Sequence, residues 1–364
     1  MKGLTFTGDQ QVLMTQFPMP HPDVGQVRIR TMASSICGSD MMMYRAPRAQ
    51  FEEGGQGDGT SPALQKGVIC GHEACGVIDE LGPGVKGWKV GDRVAIHHQI
   101  GCGYCGHCLA GEPMFCAHRR PLGLVQHGSN ADYSLCPASN LIRLPDVLSW
   151  EEGTFLGCQA ATAYSALGKL RVSGGMILAV YGLGPLGLIV GRMARCMGAT
   201  VVGVEINPYR ARLALDTDSA SRVLNPAKED CLAALMDITH GRGVQSGLVC
   251  CGADAMRRLS VLAAAVKGSI VIIGASENNM EPGADASWAF DGRHMLRKEL
   301  CVRGSYVMPL GLCEEMVQFI LDSHADLARL VTHRFILDEA QTAYRLFAQG
   351  LTGKVVFTYD GQQR

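Results

Sequence analysis

The chain has 364 residues, 33 Lys and Arg against 34 Asp and Glu, and 47% hydrophobic residues. Such a length exceeds what one core usually serves, so two domains are expected. The near-zero charge gives no electrostatic case for nucleic acid or an acidic membrane surface, and no apolar run is long enough to span a membrane. Met1 to Phe6 lacks the long apolar segment of a signal peptide, so a cytoplasmic setting is expected. There the 15 cysteines stay reduced, and some are available for metal.

From Val12 to about Leu144, the runs Gln26 to Thr31, Gly76 to Glu80, Asp92 to His97 and Tyr133 to Leu135 predict short strands separated by turns. An all-β, partly barrel-like domain with irregular loops is expected here. It carries two sets of metal-ligating residue types. One is dispersed: Cys37 in Cys37-Gly38-Ser39-Asp40, His72 in Gly71-His72-Glu73, and Cys158 after Leu156-Gly157. Each alone suits an ordinary core cysteine or a hydrogen-bonded histidine. Together they supply two thiolates and one imidazole, the inventory of a catalytic zinc with one open position.

The other set is local. Cys102, Cys105, Cys108 and Cys116 lie in one glycine-rich loop, with two, two and seven residues between them. Four thiolates so spaced close a tetrahedron around zinc and leave no position for substrate, which marks a structural site. Iron–sulfur ligation also uses close cysteine spacings, but its fourth ligand is displaced, and nothing else in the chain suggests electron transfer. Between the first two dispersed residues, Glu52 to Gly67 is rich in glycine, with Pro47 before it and Pro62 within it. It is either a lid or substrate loop or a surface insertion without a role.

Beyond Cys158 a helix over Ala160 to Leu170 leads to an apolar strand, Gly175 to Tyr181, and then to Gly182-Leu183-Gly184-Pro185-Leu186-Gly187. Helical spacing resumes over Leu186 to Met197, so the three glycines occupy a strand-to-helix corner. Gly182 allows a tight turn, Gly184 lets backbone approach a pyrophosphate, and Gly187 lets the helix pack on the strand. A second strand, Thr200 to Val204, ends on Glu205, where a carboxylate accepts hydrogen bonds from an adenosine ribose. That favours NAD over NADP, with Arg210 complicating the choice. Leu248 to Cys251 and Ser269 to Gly274 predict further parallel strands, the first burying Cys250 and Cys251. Gly252 and Gly274 fall at the carboxyl ends, the edge where open α/β sheets bind ligands.

The chain resembles the zinc-dependent medium-chain dehydrogenases, the family of the zinc alcohol, sorbitol and threonine dehydrogenases, nearly end to end. The resemblance rests on Cys37 to Asp40, Gly71 to Glu73, Gly91-Asp92-Arg93-Val94, the four-cysteine loop, Gly182 to Gly187, Glu205 and Gly353-Lys354-Val355-Val356. It implies a GroES-like catalytic β domain over 1–159, a doubly wound Rossmann domain over 160–298, and a return to the first domain over 299–364. It implies two zinc ions per chain, with Cys37, His72 and Cys158 holding the catalytic one, Asp40 orienting the histidine, and Glu73 lying beside the metal. Polyol-type members commonly place a carboxylate one position earlier than Cys158, at Gly157 in this chain, so Cys158 follows the alcohol dehydrogenase pattern.

By the same resemblance Thr162 lies against the nicotinamide, Ser39 is the first proton carrier, and Glu299 to Tyr306 is an edge strand that pairs subunits in a homodimer or homotetramer. A histidine that many relatives place five residues after the first cysteine is Met42 here, and thioether carries no proton. The exit then runs through cofactor ribose hydroxyls or a group such as Tyr44, with Met41 to Met43 as flexible pocket lining or as core. The implied activity is NAD-linked oxidation of a secondary alcohol, a polyol, cyclitol or sugar-like compound, to a ketone. A simple-alcohol or amino-alcohol dehydrogenase is the alternative within that chemistry. A non-catalytic zinc- and cofactor-binding protein is the alternative outside it.

Overall fold

A computed structural model describes residues 1–52, 67–274 and 292–359. They divide into two units, the first of Met1–Ala161, Met308–Gln318 and Val331–Arg364, the second of Thr162–Val307 and Phe319–Leu330. The glycine-rich stretch between Pro47 and Gly67 falls, over 53–66, outside the described residues.

In the first unit β1 (Lys2–Gly8) turns through Asp9 and Gln10, both at positive φ, into antiparallel β2 (Gln11–Gln16). Strand β3 (Gln26–Ser35) is the backbone of the larger sheet. It pairs antiparallel with β4 (Glu73–Leu81), which pairs with β5 (Arg93–Ile96); β6 (Tyr133–Pro137) adds to β3, and β7 (Leu141–Arg143) to β5. Alternate residues of these strands point inward, and Val27, Ile29, Ile78, Val94 and Ile96 share one buried cluster.

In the second unit the sequence alternates strand and helix, and six strands make a parallel sheet. They are β8 (Ile177–Tyr181), β9 (Thr200–Val204), β10 (Arg222–Leu224), β11 (Val244–Val249), β12 (Ala264–Ile272) and β13 (Cys301–Gly304), in the order β10-β9-β8-β11-β12-β13. The order reverses beside β8, so the corner after Tyr181 stands where such sheets bind ligands. The return expected at 299 comes later. Helix Gly292–Lys298 is the crossover that delivers β13 to the sheet's edge, so the second unit keeps the chain through Val307 and takes Phe319–Leu330 as well.

The chain closes in the first unit with β14 (Val331–Ile336) and β15 (Lys354–Thr358). The latter pairs antiparallel with β3 through Val356↔Ser35. Between them helix Ala340–Ala348 lays Tyr344 and Phe347 into a second core with Phe6, Ile36, Met41, Met43, Tyr44 and Phe357.

Candidate active site and metal centres

Strand register brings the dispersed residues together. Ser35 at the end of β3 stands opposite Glu73 at the start of β4, so Cys37, just past one, meets His72, just before the other. Cys158 arrives from a third direction. Helix Trp150–Leu156 starts in a capping box, where Glu152 N–H donates to Ser149 Oγ (3.2 Å) and Ser149 N–H to Glu152 Oε2 (2.9 Å). It ends at Gly157, where a Cβ would stand 1.8 Å from Ile96 O. No carboxylate fits there, so in this backbone the third residue is Cys158.

Cys37, His72, Glu73 and Cys158 are all buried, with their ligand atoms within 4.8 Å of one another. The two sulfurs lie 4.0 Å apart, close to the ~3.8 Å that two thiolates span across a tetrahedral zinc. His72 Nδ1 lies 3.2 Å from Asp40 Oδ1. Cys37 N–H donates to Asp40 Oδ2 (3.0 Å). Ser39, exposed, places Oγ 3.4 Å from His72 Nε2.

The electrostatics suit a cation. The Cys158 thiol donates to Cys37, which with the His72 charge holds the Cys37 thiol well below its usual range despite burial. Burial pushes the His72 imidazole down, but the Cys37 and Asp40 charges outweigh it and leave it well above the ordinary range. Burial and the Cys37 charge raise Glu73 to about 7 against the pull of Lys354. Glu73 Oε1 is buried without a hydrogen-bond partner. Two thiols and an imidazole around one point are a donor set a zinc ion takes, and the orphaned carboxylate oxygen lies beside them.

Sequence reasoning gave no role to three of the neighbours. Lys354, 1% exposed, pairs with Glu73 Oε2 and lies over the Phe155 ring at 5.0 Å. Ser35 Oγ donates to the same oxygen (2.9 Å). The signal was a lone lysine opening the apolar run Val355-Val356-Phe357. His98 sets its ring 4.8 Å from that of His72 at a tilt of 44°, with Nδ1 3.0 Å from Gly157 O, and burial followed by the His72 charge pushes it down to about 3. Tyr44 is 1% exposed, stacked on Tyr344 at 5.5 Å, and buried with Met41 and Met43.

Cys102, Cys105, Cys108 and Cys116 also converge within 4.8 Å, with Cys102 and Cys108 sulfurs 3.9 Å apart. Hydrogen bonding from backbone, led by Tyr104, brings the Cys102 thiol down to about 6, while burial raises Cys108 to about 12.

In the second unit the glycine corner has the form its sequence predicts. Gly182 sits at φ +91°, and a Cβ at Gly187 would stand 2.0 Å from Gly182 O. At Gly184 a Cβ would meet only the Arg210 guanidinium, at 3.9 Å, so the backbone is open to a ligand. Helix Pro185–Cys196, which includes Leu186, points its N-terminus at that opening. Glu205 Oε2 accepts from Leu183 N–H (2.7 Å) and Oε1 from Asn207 N–H (2.8 Å), which ties the acid to the corner. Cys250 and Cys251 lie past the end of β11, half-buried rather than within the strand. Gly274, just after β12, packs on their backbone, and Thr162 is half-buried in helix Gln159–Leu170.

A Rossmann-type parallel sheet, a β unit with two thiol-rich clusters and a glycine corner define a zinc-binding dehydrogenase. The alcohol dehydrogenase GroES-like domain matches residues 23–146 and the zinc-binding dehydrogenase domain residues 185–322. The chain belongs to the zinc-dependent medium-chain dehydrogenase family. It is 33% identical to the uncharacterized zinc-type alcohol dehydrogenase-like protein YphC of Escherichia coli K12 over 97% of both chains. It is 31% identical to the L-threonine 3-dehydrogenase of Anaeromyxobacter sp. over 94% of both. Among solved structures, an alcohol dehydrogenase from Thermus sp. ATN1 superposes with a TM-score of 0.84 at 25% identity, covering 98% of this chain and 99% of that one. No helix among the described residues is long and apolar enough to cross a membrane.

Proposed function

We propose that this dehydrogenase oxidises a secondary alcohol of polyol, cyclitol or sugar-like kind to a ketone, with NAD as acceptor. The observation that carries the reading is the convergence of Cys37, His72 and Cys158, two thiols and one imidazole from three distant segments. Three such ligands leave one place of a tetrahedron for substrate, whereas the four-cysteine loop fills all four for a structural zinc.

When bound, zinc supplies a Lewis acid that makes an alcohol hydroxyl acidic, and NAD supplies the hydride acceptor. The chain's own residues do the rest. Asp40 holds His72 from Nδ1 and leaves Nε2 for the metal. Ser39 Oγ, exposed beside Nε2, takes the alcohol's proton and hands one to solvent. Lys354 compensates the charge of Glu73, whose Oε1 remains free beside the ligands. Gly182, Gly184, Leu186 and Gly187 seat the pyrophosphate, with Arg210, Thr162 and Gly274 as further cofactor contacts. Each Glu205 oxygen accepts one backbone N–H and keeps a lone pair for a ribose hydroxyl.

A homodimer or homotetramer fits β13, whose outer edge has no strand partner among the described residues. A cytoplasmic setting fits 15 free thiols. A second reading, an amino alcohol as substrate, is favoured by the threonine dehydrogenase likeness. A panel of polyols, inositols, sugar acids, simple alcohols and threonine with NAD and with NADP, followed by reduced-cofactor absorbance beside zinc analysis, tests both. Two zinc ions per chain with turnover of a polyol on NAD is expected. Turnover of threonine alone moves the substrate to the second reading, and one zinc with no turnover makes the chain a non-catalytic binder.

A further inference from the structure

Behind Asp40 the first unit buries two polar residues, Tyr344 and Asn130, to which the proposed reaction gives no part. Asp40, fully buried, accepts from Cys37 N–H through Oδ2 and faces His72 with Oδ1, so one carboxylate touches two of the proposed ligands. Its Oδ2 also accepts from the Tyr344 hydroxyl (3.5 Å), and that hydroxyl accepts from Asn130 Nδ2 (3.0 Å). Tyr344 is 0% exposed, held by Phe6 edge-on at 5.1 Å and by stacking on Tyr44. A phenol in such a core contributes nothing by its hydroxyl unless that hydroxyl is used. The alternative to Asp40 as acceptor is the weak Cys70 sulfur, 3.9 Å away.

Asn130 acts a second time on the same loop. Its backbone N–H donates to Cys70 O (3.0 Å), and Ser129 N–H donates to Gly71 O (2.9 Å). Its side-chain amide fills the space where a Cβ at Gly71 would stand, 2.3 Å away, while Gly71 turns at φ +84° to present His72. The backbone that carries the imidazole and the carboxylate that orients it are therefore held by one amide, in part through one phenol.

We infer that Tyr344 and Asn130 are positioning residues for the metal ligands: by fixing Asp40 and the Gly71–His72 turn, they set how firmly Cys37, His72 and Cys158 hold zinc. The inference rests on the proposed catalytic zinc and deepens it, since such outer partners tune ligand orientation and basicity. The four-cysteine loop shares none of these contacts and serves as an internal control.

The test is zinc release from the whole protein to a chromogenic chelator, with Tyr344→Phe, which keeps the ring and deletes one oxygen. Wild type should release two zinc ions in separable phases. Tyr344→Phe should speed one phase by ~5-fold, somewhat less than the 10- to 100-fold that removal of a direct partner produces, and leave the other unchanged. Cobalt in the sensitive site should show a shifted visible d–d band. If Tyr344→Phe fails to fold, Asn130→Leu with Tyr344→Phe, which removes both polar partners together, carries the same readout. Unchanged release and spectrum in a folded variant, or both phases quickening together, overturns the inference. A wild-type protein holding a single zinc overturns the proposed active site and the inference with it.

Discussion

The two ligand clusters of the first unit answer the same coordination problem in opposite ways. Cys102, Cys105, Cys108 and Cys116 come from one loop, and three of the four are partly exposed; Cys37, His72, Glu73 and Cys158 come from three segments and are all buried. A loop of thiols open to water needs little from its surroundings, because solvent and the metal settle its charge. A buried cluster has no such help, and every charge in it must be met by another side chain. Hence the dispersed site carries a retinue, Asp40 on His72, Lys354 and Ser35 on Glu73, while the loop carries almost none. The lesson is that reactivity and burial come together, and that the side chains facing the ligands, Asp40, Lys354 and Ser35, make both possible.

Exchanging one ligand in each cluster sharpens that contrast most. Cys37→Ser should cost on the order of 10³-fold in turnover, the loss of a Lewis acid worth several kcal/mol, and leave the loop's zinc in place. Cys105→Ser should remove the other ion, lower the melting temperature and spare most of the turnover at moderate temperature. Zinc content, kcat and thermal unfolding of both variants check this; equal loss of turnover in the two would erase the distinction. Next in size is Lys354→Met, which leaves Glu73 buried with no cation paired to it. About 3–5 kcal/mol of stability should go, and Glu73→Gln in the same chain should recover most of it. Denaturant titrations of the single and double variants decide, and a single variant as stable as wild type would show that Lys354 compensates nothing.

The same contrast explains what the sequence could disclose. The loop was legible from spacing alone, since nearby cysteines need no knowledge of the fold. The dispersed set was legible only as an inventory, since it takes the β3–β4 register to bring Cys37 to His72 and the docking of Gly157 on Ile96 to place Cys158. The glycine corner was legible because each glycine answers a local steric demand, and the open space at Gly184 beside the closed one at Gly187 shows those demands separately. His98, Asn130 and Tyr344 carry no mark in the sequence, and Lys354 stands in the Gly353 to Val356 motif without a role, because a polar residue near an apolar run acquires meaning only from its tertiary neighbours. The setting of Tyr44 is hidden for the same reason: its short distance in sequence from Cys37 says nothing of the core that holds its ring. The later return of the chain is hidden in the sequence because β13 is short and partly polar, and its membership of the second unit shows in its pairing to β12 and the packing of Val302.

Ser39 lies at the solvent side of the buried cluster, and it probes whether that cluster passes protons outward. Ser39→Ala should lower kcat about 10²-fold near neutral pH, the usual worth of a positioned proton carrier. Zinc content should not change. The deficit should narrow as pH rises and solvent base takes over the transfer, which a kcat profile would reveal; turnover equal to wild type across neutral pH would remove Ser39 from the relay.

The smallest effect belongs to a buried histidine that touches neither cluster. His97 is 0% exposed, with Nε2–H donating to Met308 O (2.9 Å) and Nδ1 without a partner. Burial pushes its imidazole below the ordinary histidine range. The folded state therefore resists the proton that the unfolded chain binds as pH falls through ~6.5. Stability is whole above that point and is lost as pH falls toward the folded value, by at most about 1.4 kcal/mol per pH unit. His97→Gln keeps a donor for Met308 and has nothing to protonate. It should be slightly less stable than wild type at about pH 7.5, by ~1 kcal/mol, and should lose less on acidification, so that the two converge or cross near pH 5. Urea denaturation at both pH values measures the difference. Parallel losses in the two proteins would mean that the proton enters elsewhere, and that the acid sensitivity of the first unit belongs to its ligand cluster rather than to the histidine beside it.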